Sequence, residues 1–187
     1  MSSSIPRFTL EEMPVELAAM LRPRVERLGY LGEFFQCAAN QPRALMLFQD
    51  FTEALKKALP EKITELVALS VAQLMDNPYE RIQHERLSVK LGFGERWIKD
   101  VLSFSLNGND PVAEQEISVQ QLVKAVIERR GHDVGGELDC AIRHVGPKCA
   151  VAILMLIGRF VTHAYFVNSL ALEPPVPSIL SSQNTEE

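Results

Sequence analysis

Glu80 and His84 stand four residues apart. On a helix, that spacing sends both side chains from one face about a turn apart, where they can share a proton or hold one ligand. Leu87, Ser88 and Leu91 continue the same face, so the face looks inward. Glu65 sits in a segment, Glu61 to about Met75, that Ile63, Leu66, Val67, Leu69, Val71 and Leu74 make apolar nearly all round. A lone carboxylate there is costly unless it has a partner or a raised pKa. A buried acid beside a Glu and a His is an arrangement for proton transfer. Taken alone, a Glu-His pair at this spacing is more often a surface ion pair; the apolar setting of Glu65 is what raises its interest. Arg159 and His163, also four apart, interrupt the apolar stretch near the C-terminus. An unpaired buried charge is expensive, so they line a pocket, pair with an acid such as Glu65, or meet a neighbouring subunit. His132, in a Gly-His-Asp-Val turn, and His144, before Gly146-Pro147, suit capping or solvent roles.

Other chemistries find less support. Glu65, Glu80 and His84 offer too few imidazoles for a zinc site and lack the H-E-x-x-H spacing, so no metal is expected. Cys37, Cys140 and Cys149 are odd in number and widely spaced, which fits reduced cysteines in a cytoplasmic protein rather than a disulfide framework. With a formal net charge of -5 and no basic block, neither nucleic acid nor an anionic membrane surface is an expected partner. The start Met1-Ser-Ser-Ser-Ile-Pro-Arg7 lacks the features of a signal peptide. The stretch from Cys149 to Leu172 has an uncharged run of only ten residues before Arg159. A bilayer span needs roughly 18 to 20, so this reads as a buried helix.

Positioning those side chains falls to helices, because helical periodicity recurs throughout and no useful alternating run suggests a strand. The composition, 47% hydrophobic and 23% charged over 187 residues, suits one all-α domain across residues 1–187, with flexible ends at about 1–8 and 174–187. A capping box at Thr9-Leu-Glu-Glu12 opens a helix to about Gly29, bent or split at Pro23. Further helices follow at about Leu31–Asn40, from Pro42 with an apolar face of Leu45, Leu47, Phe48, Phe51, Ala54, Leu55 and Leu59, and from Glu61. Asp76-Asn-Pro78 breaks the chain and starts a helix to about Leu91; others run from Gly94 to about Ser105 and from Ser118 to Arg130. Asn107-Gly-Asn-Asp-Pro111 is the clearest loop, and a helix from Gly136 to Val145 precedes the long apolar one. The Pro-rich segment after Glu173 reads as an extended arm that could reach a neighbouring subunit.

Three stretches, Leu59-Pro-Glu-Lys-Ile-Thr-Glu-Leu-Val-Ala-Leu69, Asn77-Pro-Tyr-Glu-Arg-Ile-Gln-His84 and Leu91-Gly-Phe93, resemble the carboxymuconolactone decarboxylase and alkyl hydroperoxidase D superfamily. Pro14-Val-Glu-Leu17, Arg27 to Phe35 and Leu156-Ile-Gly-Arg-Phe160 extend the resemblance over about residues 12–173. It implies an AhpD-like antiparallel helical bundle and a homo-oligomer, a trimer or a hexamer built from trimers, with pockets near subunit contacts. In the peroxidase branch a Glu precedes a Cys-x-x-Cys pair and a His. Here Glu65 and His84 match, but Asn77 and Glu80 occupy the cysteine positions, so dithiol peroxidase chemistry is not expected. The pattern is similar to the decarboxylase branch, which implies acid/base catalysis on a small-molecule substrate without a cofactor. His84, Glu80 and Glu65 are then the candidate catalytic residues: His84 as general acid/base, Glu80 orienting it, Glu65 as second acid or relay. Asn77, Tyr79, Arg159 and His163 are candidate substrate-binding residues, Arg159 for a substrate carboxylate. The expected activity is that of a lyase or isomerase on a small carboxylated lactone or related acid. A non-catalytic ligand-binding or structural oligomer is the alternative, and a hydroperoxide reductase using a non-motif cysteine ranks third.

Overall fold

The computed structural model describes residues 4–108 and 111–180. After a 3-10 turn at Leu10–Glu12 come eight helices: α1 Val15–Leu28, α2 Glu33–Ala38, α3 Pro42–Ala58, α4 Glu61–Leu74, α5 Pro78–Lys90, α6 Glu95–Leu102, α7 Pro111–Glu128 and α8 Gly135–Ser169. The described residues contain no strand, so the all-α reading holds.

Several boundaries depart from the sequence reading, each for a local reason. The Thr9 N–H does donate to the Glu12 carboxylate at 2.8 Å, but this box closes the 3-10 turn. Pro14 is extended, with ψ 142°, so the long helix begins only at Val15. It then runs through Pro23 unsplit and ends at Gly29, whose φ of 81° supplies the left-handed cap. Helix α7 starts at Pro111, seven residues before the expected Ser118. The buried Glu116 explains the early start: it accepts from Trp97 Nε1 at 2.7 Å and pairs with Lys62 at 2.6 Å, so tertiary partners draw this turn into the helix. Of the loop expected at Asn107 to Pro111, residues 109 and 110 lie outside the described residues. On α3, Leu47 and Ala54 are exposed, while the polar Gln49 and Thr52 are buried.

Helix α4 is the axis of the molecule. Every residue from Ile63 to Ala72 is buried, and the helix packs on α5, α6, α7 and α8, as its all-round apolar pattern requires. The main core gathers around it from Leu66, Leu69, Ile98, Leu122, Ile153, Leu156 and Phe160. A second core joins α1 and α2 to α5 and α8 through Leu17, Leu21, Phe34, Phe35, Tyr79 and Val167. Helix α8 contributes to both, and the candidate site lies where Phe34 and Tyr79 of the second core face Phe160 of the first.

Helix α8 is broken internally at Gly146, with φ 79° and ψ 162°, and Pro147 opens its second part, as the expected helix break near Val145 anticipates. By length and composition α8 could cross a bilayer, but more than half of its most apolar window is buried within the protein. The described parts of the expected flexible ends are fastened. Arg7 pairs with Glu33, and Phe8 N–H donates to Gln36 O at 3.1 Å. Arg86 donates to Pro177 O through Nε and Nη2 at 3.1 and 3.0 Å, and Ser178 Oγ donates to Glu85 at 2.5 Å. The Pro-rich arm thus lies on the chain's own α5; residues 1–3 and 181–187 lie outside the described residues.

Gly146→Ala is expected to lower the unfolding free energy by about 1–3 kcal/mol, because that backbone region is open essentially to glycine alone. Gly158→Ala, in regular helix with open space around the added Cβ, should leave stability unchanged or raise it by up to ~1 kcal/mol. Urea unfolding of the two variants checks the contrast.

Candidate active site

The turn at Asp76-Asn77 brings α4 and α5 face to face. Asn77 caps α5 by accepting the Glu80 N–H on Oδ1 at 3.1 Å, and Pro78 follows at the first helical position. The cap starts the helix at Pro78, and Glu80, His84 and Ser88, at one-turn spacing along it, share its inward face and are all buried. His84 Nδ1 lies 2.7 Å from Glu65 Oε2, and Ser88 Oγ donates to the same oxygen at 3.4 Å. On its other side, His84 Nε2 is 3.5 Å from Glu80 Oε1. Glu65 therefore holds His84 more closely than Glu80 does.

Glu80 is held from α8. Its Oε1 accepts from Arg159 Nη1 at 2.8 Å, and its Oε2 meets His163 Nε2 at 3.1 Å. The acid that Arg159 and His163 find is thus Glu80 rather than Glu65. Arg159 Nε also donates to Thr52 Oγ1 at 3.1 Å, and its guanidinium stacks on the Phe160 and Phe48 rings at 4.5 and 5.0 Å. His163 packs on Phe34 with ring centroids 4.2 Å apart, and its Nδ1 is buried without a hydrogen-bond partner.

The charges follow from this geometry. Burial opposes ionisation of Glu80, yet His163, Arg159 and His84 together hold its carboxyl well below the usual range. Burial also opposes the His84 imidazolium, but the charge and hydrogen bond of Glu65, with help from Glu80, raise its pKa to about 9. For His163, burial outweighs the pull of Glu80, and the nearby Arg159, His84 and Arg24 add to it, so the pKa falls to about 4. At neutral pH the site therefore holds an imidazolium at His84, a carboxylate at Glu80 and a neutral imidazole at His163.

Glu80, His84, Arg159 and His163 line one cavity of about 430 Å³, together with Tyr79, Phe34, Phe160 and a set of basic residues. Glu65 stands behind His84 and Asn77 acts as a cap; neither is in the cavity wall. Tyr79 is in the wall, and its hydroxyl accepts the Phe34 N–H at 3.3 Å; burial raises its pKa. A Cβ on Gly32 would stand 2.7 Å from that hydroxyl, so a side chain there would displace Tyr79. Sequence reasoning missed Thr52 and Ser88 as partners, although Ser88 continues the Glu80 and His84 face at the next turn. It also missed the basic residues Arg24, Arg27, Lys56, Arg86 and Lys90. Cys37 is buried outside this cavity, in the wall of a neighbouring apolar one. Burial pushes its thiol pKa up, the opposite of an activated thiolate.

The two histidines titrate on opposite sides of their ordinary value of 6.5. Between 6.5 and about 9 the folded chain holds a proton on His84 that the unfolded chain releases, so stability falls as pH rises there. Between about 4 and 6.5 the unfolded chain binds a proton that His163 refuses, so stability falls as pH drops there. Melting temperature should therefore peak near pH 6.5 as far as these groups govern it. His84→Gln should flatten the alkaline slope and His163→Gln the acidic one, measured by thermal unfolding across pH.

No family model and no curated protein matches the chain. Solved structures do. One is an alkylhydroperoxidase AhpD core, an uncharacterized peroxidase-related protein from Ralstonia eutropha, at TM-score 0.77 and 14% identity over 92% of this chain and 94% of that one. Another is a cysteine-to-alanine variant of the debrominase Bmp8 with 2,3,4-tribromopyrrole, at TM-score 0.78 and 13% identity over 92% of each chain. A third, from Agrobacterium tumefaciens, is a protein of unknown function and a candidate antioxidant defence protein AhpD, at TM-score 0.65 and 20% identity over 75% of this chain and 96% of that one. At these identities the likeness speaks to architecture, and it agrees with the helical bundle expected from the sequence motifs. The chain has the AhpD-like helical fold.

Proposed function

We propose that the chain is a cofactor-free acid/base enzyme, a lyase or isomerase acting on a small carboxylated lactone or related acid in the cytoplasm, without thiol peroxidase chemistry. The observation that carries this reading is His84. Its Nδ1 is fixed on a buried carboxylate at 2.7 Å, while the ring lines a cavity rich in cations. A carboxylate on Nδ1 fixes the ring and supports its positive charge, which leaves Nε2–H as the proton donor.

With its pKa raised to about 9, His84 enters the reaction as an acid. In a decarboxylation, Arg159 and its cationic neighbours hold the substrate's carboxylates. The bond to one carboxylate carbon breaks, its electron pair passes into the conjugated lactone carbonyl, and carbon dioxide leaves. His84 Nε2 then delivers its proton to the resulting carbanionic carbon. Glu80 keeps Arg159 and His163 in place, and the neutral His163 presents no competing acid at neutral pH. An isomerisation uses the same donor, with a proton returned to His84 from another carbon.

Purified protein given gamma-carboxymuconolactone near neutral pH should release carbon dioxide with loss of substrate absorbance. His84→Gln should lower kcat by about 10²- to 10⁴-fold, and turnover by the unmodified chain should decline as pH rises through about 9. One feature favours a second reading, a ligand-binding protein without turnover: both Glu80 oxygens are already engaged by α8. If the folded chain turns over neither this lactone nor related acids, and His84→Gln alters only affinity, the second reading stands and the enzymatic one fails.

A further inference from the structure

The cavity wall carries more positive charge than the reaction just described requires. Six basic side chains line it: Arg24 and Arg27 from α1, Lys56 from α3, Arg86 and Lys90 from α5, and Arg159 from α8. Against them stand two carboxylates, Glu53 and Glu80, which leaves a surplus of four. The His84 imidazolium is balanced by Glu65 behind it. The chain as a whole is at -5, so this concentration is local and runs against the overall charge.

Most of these cations have no internal anion. Arg159 pairs with Glu80 at 2.8 Å and Lys56 meets Glu53 at only 3.9 Å. Arg24, Arg27, Arg86 and Lys90 form no salt bridge among the described residues; Arg24 has Gln49 Oε1 at 3.5 Å and the Phe35 ring at 4.9 Å. Burial lowers the pKa of both Arg24 and Lys56; Glu80 offsets this in part for Arg24 and Glu53 for Lys56, while Arg159 lowers each further. Arg24, Lys56 and Arg159 line the same cavity, so their like charges share a partly dehydrated wall, a cost that a bound anion would reduce. The two carboxylates of such a lactone acid leave half of that surplus of four unmet. Guanidinium groups, with parallel N–H donors, suit carboxylate and phosphoryl oxygens equally well.

We infer that Arg24, Arg27 and Lys56, from α1 and α3, form a second subsite of this cavity, for a multivalent oxyanion carried by the ligand. The shared chemistry is that of a phosphoryl group or a cluster of carboxylates. The inference rests on the proposal that the cavity is a substrate site, and it narrows the substrate class to polyanions.

Equilibrium binding by calorimetry on the full chain at low ionic strength, with pyrophosphate, citrate and acetate as probes, tests it without requiring turnover. Pyrophosphate or citrate should bind at least about tenfold tighter than acetate and weaken as salt is raised. The tighter of the two identifies the source, phosphoryl or polycarboxylate. Arg24→Gln and Lys56→Gln should each weaken that probe about tenfold, the scale of a lost charge-assisted hydrogen bond. Glu53→Gln should tighten it, and Arg96→Gln, on α6 beside Asp100, should leave it unchanged. His84→Gln should still bind the probe, so a failed acid/base mechanism and a failed subsite give different results. Equal affinity for acetate and the multivalent probes overturns the inference, as does affinity indifferent to both Arg24→Gln and Lys56→Gln.

Discussion

The carboxylate of Glu80 is the charge around which the site is organised. It is buried on α5, and two helical turns of α8 close over it through Arg159 and His163. Removing an ionised carboxylate from water is affordable only with such partners. Here the partners also do structural work, because Arg159 reaches on to Thr52 of α3. One buried negative charge thus links three helices that belong to different parts of the chain. His84 shares the arrangement from the side, with Glu65 of α4 bringing in a fourth helix. Glu80 is accordingly held by the contacts that join α5 to α8, and His84 by its contact with α4.

How much of this could be read from the sequence depended on whether the information lay within one helix or between helices. Period alone placed Glu80 and His84 on one inward face, and it marked Glu65 as an acid in apolar surroundings. It also flagged Arg159 and His163 as charges needing a partner. It could not say which acid they would find, because spacing fixes directions around one helix axis but not the rotation of one helix against another. Packing between helices settles that rotation, and it leaves Asn77 at the N-cap of α5, behind the cavity wall. The basic wall was illegible for the same reason, its members coming from four helices with no common period. Gln49 and Thr52 were overlooked on α3 because an apolar face was expected there, whereas both are buried to meet Arg24 and Arg159. The early start of α7 escaped notice because its stabilising partners, Lys62 and Trp97, lie on other helices.

The two hydrophobic clusters give the polar network its setting. The cluster around α4 and the cluster of α1 and α2 are each well packed, and the charged groups occupy the seam between them. Val167 belongs to one cluster and Phe160 to the other, so α8 is common to both, as is α3 through Leu45 and Leu55. A cavity in such a place can hold ionised groups at low exposure without breaking either core. It also lets the electrostatics of the opening differ in sign from those of the molecule, since the field inside a low-dielectric cleft is set by its own lining.

The arm over residues 174–180 gives the cavity a mechanical connection to a distant part of the sequence. Pro177 holds the guanidinium of Arg86 through its carbonyl, while the next residue closes over the buried Glu85. Arg86 is also part of the cavity wall. The position of that guanidinium is thus set by a carbonyl 91 residues further along the chain, so the cavity wall at this point depends on the arm lying in place.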